Sequence, residues 1–331
     1  MNDKYLHYFK EQFFDVEENK EIKTIIEQAS SALAFIINKF GEVQNKFACE
    51  DTMHDGYTDI VVSMFVRKII EGLDAINVLF AICSFDQAQI ILRTLIENIV
   101  SLEFILKEDT EKRAAAYFLE HHYQEIELGK KIFGNNSNYK KAIVETCGEN
   151  EYDNAYESFK RKQEAYEHLI KSNDLFCRID EARKKKIEEK RKAYKENRKN
   201  KKGKKSKHRV YVQWYEVCSD VSSVYGLMSE TGYGKYYSGI YGGFSFETHA
   251  LNSTMAIKKS EKGLDLTQIR NPVGGSNIFS VACDFSIGVL IKIYEYFNDG
   301  AEEKRKFKVA FVEFQQKRDY INYQLDQIKE V

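Results

Sequence analysis

The sequence predicts an all-α fold, a helical bundle with an inserted, highly charged helical arm. The 331 residues include one proline and 18 glycines, so residues that break long helices are scarce. Glu, Lys, Ile and Phe are abundant, which favours long helices over a β-sandwich or barrel. Hydrophobic residues make up 43% of the chain and charged residues 31%, which suffices for one large core or two small ones.

The first part of the chain is predicted to form four helices. The first covers about 20–40 and is expected to end at Gly41, because glycine often follows the last residue of a helix. The second covers about 57–83 and the third about 85–107. The fourth runs to about Phe133, where the sequence Gly-Asn-Asn-Ser-Asn indicates a turn.

The remaining elements are predicted to be helical as well. From about 150–200 the pattern is helical and increasingly charged, and a flexible basic loop is expected after it. Apolar periodicity resumes in helices at about 214–230 and 236–256. A loop around the one proline follows, and helices at about 277–298 and 301–329 close the chain.

These elements predict three parts, with residues 1–150 and 211–331 forming the bundle and 151–210 forming the arm. Charge is distributed very unevenly among them. The segment Arg183–Arg209 holds 16 Lys/Arg and 3 Asp/Glu, a local charge of +13, in a chain whose net charge is −1. Three interpretations of this segment stay open: a solvated face or mobile loop, a docking element for an acidic surface of this chain or of a second subunit, and a nucleic-acid-binding segment.

Cysteine usage and the apolar segments bear on the location of the protein. The six cysteines are widely spaced without a Cys-x-x-Cys motif, and several lie in apolar segments. They predict reduced core thiols in a cytoplasmic protein. The N-terminal residues are charged, unlike a signal peptide, and no run of 18 apolar residues occurs. We therefore expect no membrane contact, and nothing in the sequence predicts a cofactor.

The third predicted helix carries the first candidate site residues. It is apolar nearly all round, which is typical of a buried helix. Arg93 and Glu97 are four residues apart and share one face of it. Leaving one of two buried charges without its partner costs about 3–5 kcal/mol. Since the Arg-before-Glu order is the weaker one for helix support, local stabilisation is a poor reason for the pair.

The segment Tyr241–Asn252 carries the other candidates. On a helix, Tyr241 falls on an apolar stripe that is interpreted as ordinary core. Ser245 and His249 fall on a different stripe, made of small and polar residues. Small side chains let a neighbouring helix approach closely, so the third helix is expected to pack directly against this stripe.

Two interpretations of these candidates stay open. In the first, a buried Arg–Glu pair and a histidine with satisfied hydrogen bonds only fix the register of the helices. In the second, four catalytic candidates converge on one pocket: Arg93, Glu97, Ser245 and His249. There His249 would act as the acid/base or anion ligand, and Arg93 as a clamp on an oxyanion or phosphate.

The arm supplies candidate contacts to RNA or another polyanion. The candidate side chains are six of its basic residues: Lys184, Lys185, Lys192, Arg198, Lys202 and Lys205. Only Tyr194 is interleaved with them, so stacking on single-stranded bases is poorly supported. A homodimer is a further arrangement that the sequence leaves open.

Two other signals point only weakly to chemistry. The histidines of Glu120–His122 point about 100° apart on a helix, and no His-Glu-x-x-His motif accompanies them, so no metal site is expected. The glycine-rich segment 232–243 lacks the Gly-Lys-Ser/Thr order of a phosphate-binding loop, so no nucleotide loop is expected there.

The two motif-bearing segments together resemble a large bacterial family of helical proteins that is catalogued as a domain of unknown function. Its first block, Ala-x4-Arg-Ser-Leu-x-Glu, matches the third predicted helix, with Arg93 and Glu97 as the charged residues. Its second block is a Trp-containing helix followed by Tyr-x3-Ser-x3-His, and the matching residues are Trp214, Tyr241, Ser245 and His249. The proline that usually follows the histidine is missing here. The resemblance covers about 57–135 and 210–255, and it implies an all-helical bundle.

The same segments are distantly similar to the HEPN group of helical nucleases, many of which are toxins and antiphage effectors. Those proteins cleave RNA without metal through an Arg-x4–6-His motif, whereas Arg113 and His121, the nearest match here, have seven residues between them. Two function hypotheses follow. One is a metal-independent, nuclease-like effector or toxin acting on RNA in phage defence, and the other is a non-catalytic interaction or regulatory module with a structural Arg–Glu pair.

Overall fold

Helices make up most of the fold, and the all-α class predicted from the sequence is confirmed. A computed structural model describes eight parts of the chain: 13–47, 56–134, 137–200, 210–243, 257–260, 263–266, 268–297 and 301–329. Its helices, in chain order, are α1 (Lys20–Lys46), α2 (Tyr57–Ala81), α3 (Phe85–Lys107), α4 (Thr110–Phe133), α5 (Ser137–Cys147), α6 (Glu149–Ser172), α7 (Asp174–Asn200), α8 (Trp214–Cys218), α9 (Val224–Glu230), α10 (Gly275–Tyr296) and α11 (Ala301–Asp326).

Short elements complete this order. Two 3-10 turns cover Val16–Glu18 and Gly234–Tyr236, and a π-helical turn covers Tyr237–Tyr241. An antiparallel hairpin pairs β1 (Ile257–Ser260) with β2 (Gly263–Leu266). The hairpin is an addition to the predicted elements, because Ile-Lys-Lys-Ser lacks the apolar alternation that marks a half-buried strand.

The structure bears out some predicted helix boundaries and corrects others. The predicted third helix coincides with α3, and α4 ends at Phe133 as expected. The predicted stop at Gly41 is wrong, because α1 continues to Lys46 and buries Val43 completely, which outweighs the cost of about 1 kcal/mol for a glycine inside a helix.

The prediction of a single helix at 214–230 is also wrong. This segment is divided into α8 and α9, and the hydroxyl of Ser219 accepts a hydrogen bond from the Val221 N–H in the break. Short polar side chains that bond to the nearby backbone compete with helical hydrogen bonds, and this explains the interruption.

Contacts divide the chain into two compact units. The first comprises Met1–His54, Val62–Glu108 and Val224–Val331, and the second comprises Asp55–Val61 and Asp109–Ser223. The predicted division at residues 150 and 210 rests on composition alone and stays a prediction. The contacts give a different grouping, in which α4 and α5 belong with the arm helices α6 and α7.

The first unit is built around α10, which packs against α3, α1 and α11. Close approach to α3 is possible at Gly275, where a Cβ would lie 2.7 Å from the ring of Phe85. Cys83 and Cys283 are buried free thiols in this core, and burial raises the pKa of the Cys83 thiol to about 12. By length and composition α10 could cross a membrane, yet 67% of its apolar window is buried inside the protein, as in a core helix.

The second unit is built around α4, which packs against α6, α7 and α8. Its core includes Leu119 of α4 together with Phe176 and Ile179 of α7. Part of the charged arm thus belongs to this core. At Gly129 a Cβ would lie 2.0 Å from the ring of Phe159, so a small residue is needed where α4 meets α6.

One buried carboxyl group in the first unit makes its stability depend on pH. Glu103 lies on α3, is 7% exposed, and accepts a 2.7 Å hydrogen bond from the hydroxyl of Tyr233. Gly288 of α10 leaves room for this pair, because a Cβ there would lie 2.5 Å from the Tyr233 hydroxyl. Burial raises the pKa of Glu103 to about 7, although the Tyr233 hydrogen bond and the Lys292 charge oppose the shift.

We expect the protein to lose stability between pH 5 and pH 8, and Glu103→Gln to remove most of that loss. The folded-state pKa lies above the ordinary value of 4.5, so stability is full below that value and is lost as pH rises through about 7. Each pKa unit corresponds to about 1.36 kcal/mol, so the loss at pH 8 is on the order of 3 kcal/mol.

Thermal melts of both proteins at the two pH values measure this effect. Glu295→Gln is the matched control, because Glu295 is 57% exposed on the neighbouring helix α10. If Glu103→Gln and the control respond equally to pH, the carboxyl of Glu103 is not the group responsible.

Candidate functional site

The two motif blocks meet at the side chain of Tyr241. Arg93 and Glu97 lie on α3, and Tyr241 ends the π-helical turn that follows α9. The Tyr241 hydroxyl donates a 2.5 Å hydrogen bond to Oε1 of Glu97 and accepts a 3.2 Å bond from Nη2 of Arg93. We call these three side chains the Arg–Tyr–Glu cluster. Single π-helical turns occur frequently at functional sites, which fits the position of Tyr241.

Arg93 contacts both of its partners in the cluster, and it contacts Tyr241 in two ways. Its guanidinium lies over the Tyr241 ring, 4.9 Å from the centroid, and its Nε lies 3.4 Å from Oε1 of Glu97. These contacts hold the cation against a rigid ring whose own position is fixed by a hydrogen bond to Glu97. The cluster therefore presents an oriented guanidinium and a carboxylate side by side.

The expectation of a fully buried Arg–Glu pair is wrong. The Arg93 side chain is 19% exposed and that of Glu97 is 42% exposed. The cause is that α3 is not covered on every side, since the neighbouring positions Gln87 and Thr94 are exposed. Water reaches Glu97, so loss of Arg93 costs less than the 3–5 kcal/mol or so that stranding a fully buried charge requires.

The electrostatics of the cluster keep Tyr241 protonated. Burial raises the pKa of the Tyr241 hydroxyl to about 12, the hydrogen bond to the Glu97 carboxylate adds to the shift, and Arg93 opposes it. Burial alone would lower the pKa of Arg93, but its hydrogen bond to Tyr241 and the charge of Glu97 raise it overall. At neutral pH the cluster thus holds a cation, a neutral donor and an anion.

The interpretation of Tyr241 as ordinary core is wrong in one respect. The residue is 5% exposed, as a core residue would be, but its hydroxyl joins the two charged candidates. Apolar periodicity could not reveal this role, whereas its place at the head of the Tyr-x3-Ser-x3-His motif could have done so. Ser245 and His249 lie outside the described residues, so their positions and the packing predicted for them stay predictions.

The second unit contains the buried ion pair that the sequence had suggested for the first. Arg183 of α7 binds the carboxylate of Glu120 on α4, and their side chains are 8% and 5% exposed. The Tyr211 hydroxyl also donates to Glu120, and Gln124 donates to both Oε1 of Glu120 and the Tyr211 hydroxyl at 3.0 Å. The guanidinium of Arg183 lies 3.9 Å from the ring centroid of Tyr123. Sequence reasoning missed this pair because Glu120 stood beside two histidines and Arg183 stood in a basic run.

The six basic candidates of the arm differ in what the structure describes. Lys184 pairs with Asp180 through a 2.5 Å contact, whereas Lys185 and Lys192 are exposed on α7 and pair with no described residue. Arg198 lies in the last turns of α7 with its side chain outside the described residues, and Lys202 and Lys205 lie outside them entirely.

The described parts of the chain contain no set of side chains arranged to bind a metal ion. No group of three or more His, Cys, Asp or Glu residues there is placed to hold an ion. His121 and His122 instead lie 3.8 Å and 4.0 Å from the carboxylate of Glu125. Burial and the neighbouring His121 lower the pKa of His122, so this pair favours the neutral imidazole at that position.

The fold and the cluster define a class of all-α protein in which an Arg-x3-Glu helix contacts the tyrosine of a Tyr-x3-Ser-x3-His motif. Residues 59–263 match the model of a family of unknown function, DUF5677, and the chain belongs to that family. The matched region contains both motif blocks and the arm between them. No curated protein matches the chain, and no solved structure matches it.

We expect Arg93→Ala and Tyr241→Phe each to lower the free energy of unfolding by about 1–2 kcal/mol. Each variant removes a hydrogen bond in which one of the two groups is charged, and such bonds contribute about 1.5–3 kcal/mol when shielded from water. The exposure of Glu97 reduces the cost, because water can replace the missing donor.

Denaturant unfolding of both variants measures this, with Tyr237→Phe as the control. The Tyr237 ring stacks on Tyr241, and no hydrogen bond to its hydroxyl occurs among the described residues. A loss above about 4 kcal/mol for Arg93→Ala would mean that the pair behaves as a buried one after all.

Proposed function

We propose that the protein is a metal-independent, nuclease-like effector or toxin that acts on RNA in phage defence. The observation that carries the proposal is the contact of Tyr241 with Arg93 and Glu97, residues 148 and 144 positions away in sequence. It joins the Arg-x3-Glu block to the segment whose motif contains His249. A guanidinium and a histidine imidazole are a pair of groups suited to metal-free phosphodiester cleavage.

The proposed reaction is an internal transfer at phosphorus. His249 takes the proton of a ribose 2′-hydroxyl, and the 2′-oxygen attacks the adjacent phosphorus. The bond from phosphorus to the 5′-oxygen breaks, and the proton passes to that oxygen. The products are a 2′,3′-cyclic phosphate and a 5′-hydroxyl, so no water and no metal ion are consumed.

Arg93 stabilises the charge that accumulates on the phosphoryl oxygens in this reaction. A planar guanidinium can donate two parallel hydrogen bonds to phosphate oxygens. Tyr241 and Glu97 fix its orientation before the substrate arrives, and preorganised donors of this kind need no rearrangement during the reaction. Ser245 lies between Tyr241 and His249 in the same motif and completes the set of candidates.

A second candidate is a non-catalytic interaction or regulatory module. It is favoured by the internal pairing of the cluster, in which the Tyr241 hydroxyl bonds to both charged groups at once. A pKa of about 12 makes Tyr241 a steady donor rather than a proton carrier at neutral pH. In this case the cluster holds the π-helical turn on α3, and the arm docks a partner.

Incubating the purified chain with total RNA and with DNA, with and without EDTA, tests the proposal. We expect RNA fragments ending in 2′,3′-cyclic phosphate, insensitivity to EDTA, and no DNA cleavage. His249→Ala should abolish the fragments because it removes the proton carrier. Loss of a general acid–base group costs about 10²–10⁴-fold in rate.

A matched pair of double variants separates chemistry from stability. Arg93→Gln with Glu97→Gln removes the charges of the cluster and should abolish cleavage. Arg67→Gln with Glu71→Gln removes an exposed pair with the same spacing and order on α2, where Nε lies 2.9 Å from Oε1, and should leave cleavage unchanged. A folded chain that cuts no RNA, or a cluster variant that cuts as well as the control, would favour the interaction module.

The arm is expected to bind RNA through charge with a steep dependence on salt. Substituting Lys185→Gln with Lys192→Gln is preferable to deleting the arm, because Arg183 and Phe176 within it are buried. Each phosphate that these lysines neutralise contributes about 0.7 to the slope of log K against log salt on single strands, so the variant should show a shallower slope. Filter binding across a salt series measures the slope, and an unchanged slope would remove these two side chains from the RNA interface.

A further inference from the structure

A cavity in the second unit lies outside the cluster described above. Its volume is about 680 Å³, and it opens between α4, α7 and the segment 210–212. Cavities of about 300–1,000 Å³ are typical of small-molecule sites. Apolar walls are supplied by Leu128, Ile187, Val210 and Val212, and apart from Gln124 the remaining lining is aromatic or charged. The cavity therefore offers both an apolar surface and ionic groups to a bound molecule.

Tyr211 lines this cavity and is held in place there by hydrogen bonds. Its hydroxyl donates to the buried carboxylate of Glu120 and accepts from Gln124. Its carbonyl oxygen accepts a 3.1 Å bond from Nζ of Lys190, whose other contact is the buried carboxylate of Glu216. The residue is nevertheless 43% exposed. A tyrosine that is fixed through its hydroxyl and its backbone carbonyl, and is still exposed, is preorganised to receive a planar group, because binding then restricts little further motion.

The cavity that Tyr211 lines also carries positive charge. Lys131, Arg191 and Lys195 line the cavity, are exposed, and form no ion pair with any residue that the structure describes. Arg191 and Lys195 are four residues apart on α7 and so share one face of the helix. The two acidic lining residues are Glu127 and Asp180, and Asp180 is already bound by Tyr123 and Lys184. The cationic groups therefore favour an anion.

We propose that this cavity binds a nucleotide unit, with the base stacked on Tyr211 and the phosphate held by Arg191, Lys195 and Lys131. An inorganic anion would use the cations but leave the ring unoccupied, and a nucleoside would use the ring but leave the cations unpaired. A nucleotide satisfies both, since stacking on an aromatic side chain and charge-assisted bonds to phosphate act together. The unit is either a free nucleotide or the phosphorylated end of an RNA strand.

This inference goes beyond the proposed cleavage and stands whether or not RNA is cut. Arg183 takes no direct part in it, because its guanidinium is paired with Glu120 and packed on Tyr123. The buried pair instead fixes the position of Tyr211, because Glu120 accepts a hydrogen bond from the Tyr211 hydroxyl. The function of the ion pair in the second unit is then to position the stacking surface.

Calorimetric titration of the full chain tests the proposal with three probes. They are a nucleoside 5′-monophosphate, the same nucleoside without phosphate, and inorganic phosphate. We expect the monophosphate to bind at least about tenfold more tightly than either part, since stacking alone contributes about that factor. Equal affinity for the monophosphate and inorganic phosphate would overturn the proposal, because the ring would then have no role.

Two sets of variants locate the binding. Arg191→Gln with Lys195→Gln should weaken monophosphate binding by more than about tenfold, whereas Arg161→Gln with Lys171→Gln should not change it. The control removes one Arg and one Lys from exposed positions on α6, within the same unit. If both double variants weaken binding equally, the effect is general electrostatics and the cavity is not a site.

Tyr211→Leu should weaken binding by about tenfold through loss of the ring, and Tyr211→Phe should have a smaller effect because it keeps the ring and loses only its anchor. If Tyr211→Leu does not fold, the exposed Arg191 and Lys195 variants still decide the outcome. Competition by single-stranded RNA with and without a 5′-phosphate separates the two sources of the nucleotide. Competition only by the phosphorylated strand identifies a strand end, and competition by neither identifies a free nucleotide.

Discussion

The hydrogen bonds of one hydroxyl group connect the two parts of the candidate site. Tyr241 donates to Glu97 and accepts from Arg93, and these bonds attach the π-helical turn to the middle of α3. Without them the Arg-x3-Glu helix and the histidine-bearing motif would have no described polar contact. Burial keeps the hydroxyl protonated, so the bridge persists at neutral pH. The proposed chemistry depends on this bridge, because it sets the orientation of the Arg93 guanidinium.

The Arg93–Glu97 and Arg183–Glu120 pairs show how exposure changes the role of the same residue types. Arg93 and Glu97 are partly exposed, so their charges remain accessible to a substrate. Arg183 and Glu120 are buried, satisfied by Tyr211 and Gln124, and so act as internal support. Removing one member of the buried pair would cost about 3–5 kcal/mol, whereas an exposed pair contributes about 1 kcal/mol or less. The accessible charges of Arg93 and Glu97 can contact a substrate, whereas the buried charges of Arg183 and Glu120 can only position neighbouring side chains.

The sequence predicted the all-α class, the family and the bounds of α3, because long periodic segments and paired motifs carry those signals. It could not predict that α1 passes through Gly41, since that depends on the tertiary burial of Val43. The buried ion pair was also expected on α3, between Arg93 and Glu97, whereas the structure has it between Glu120 and Arg183. Glu120 and Arg183 are 63 residues apart in sequence, and no local pattern reports such a contact. Tyr211 was missed for the same reason, because its anchors lie on α4 and α7.

The central claim is that the Arg–Tyr–Glu cluster belongs to a centre that cleaves RNA through the ribose 2′-hydroxyl. A DNA oligonucleotide containing one ribonucleotide tests it most directly, because only one position in it has the attacking group. The account predicts a single cut after the ribose, leaving a 2′,3′-cyclic phosphate, and no cut when Arg93 and Glu97 are both replaced by glutamine. Cleavage at other positions, cleavage that survives the loss of the cluster, or an intact oligonucleotide after incubation with the wild-type chain would contradict it.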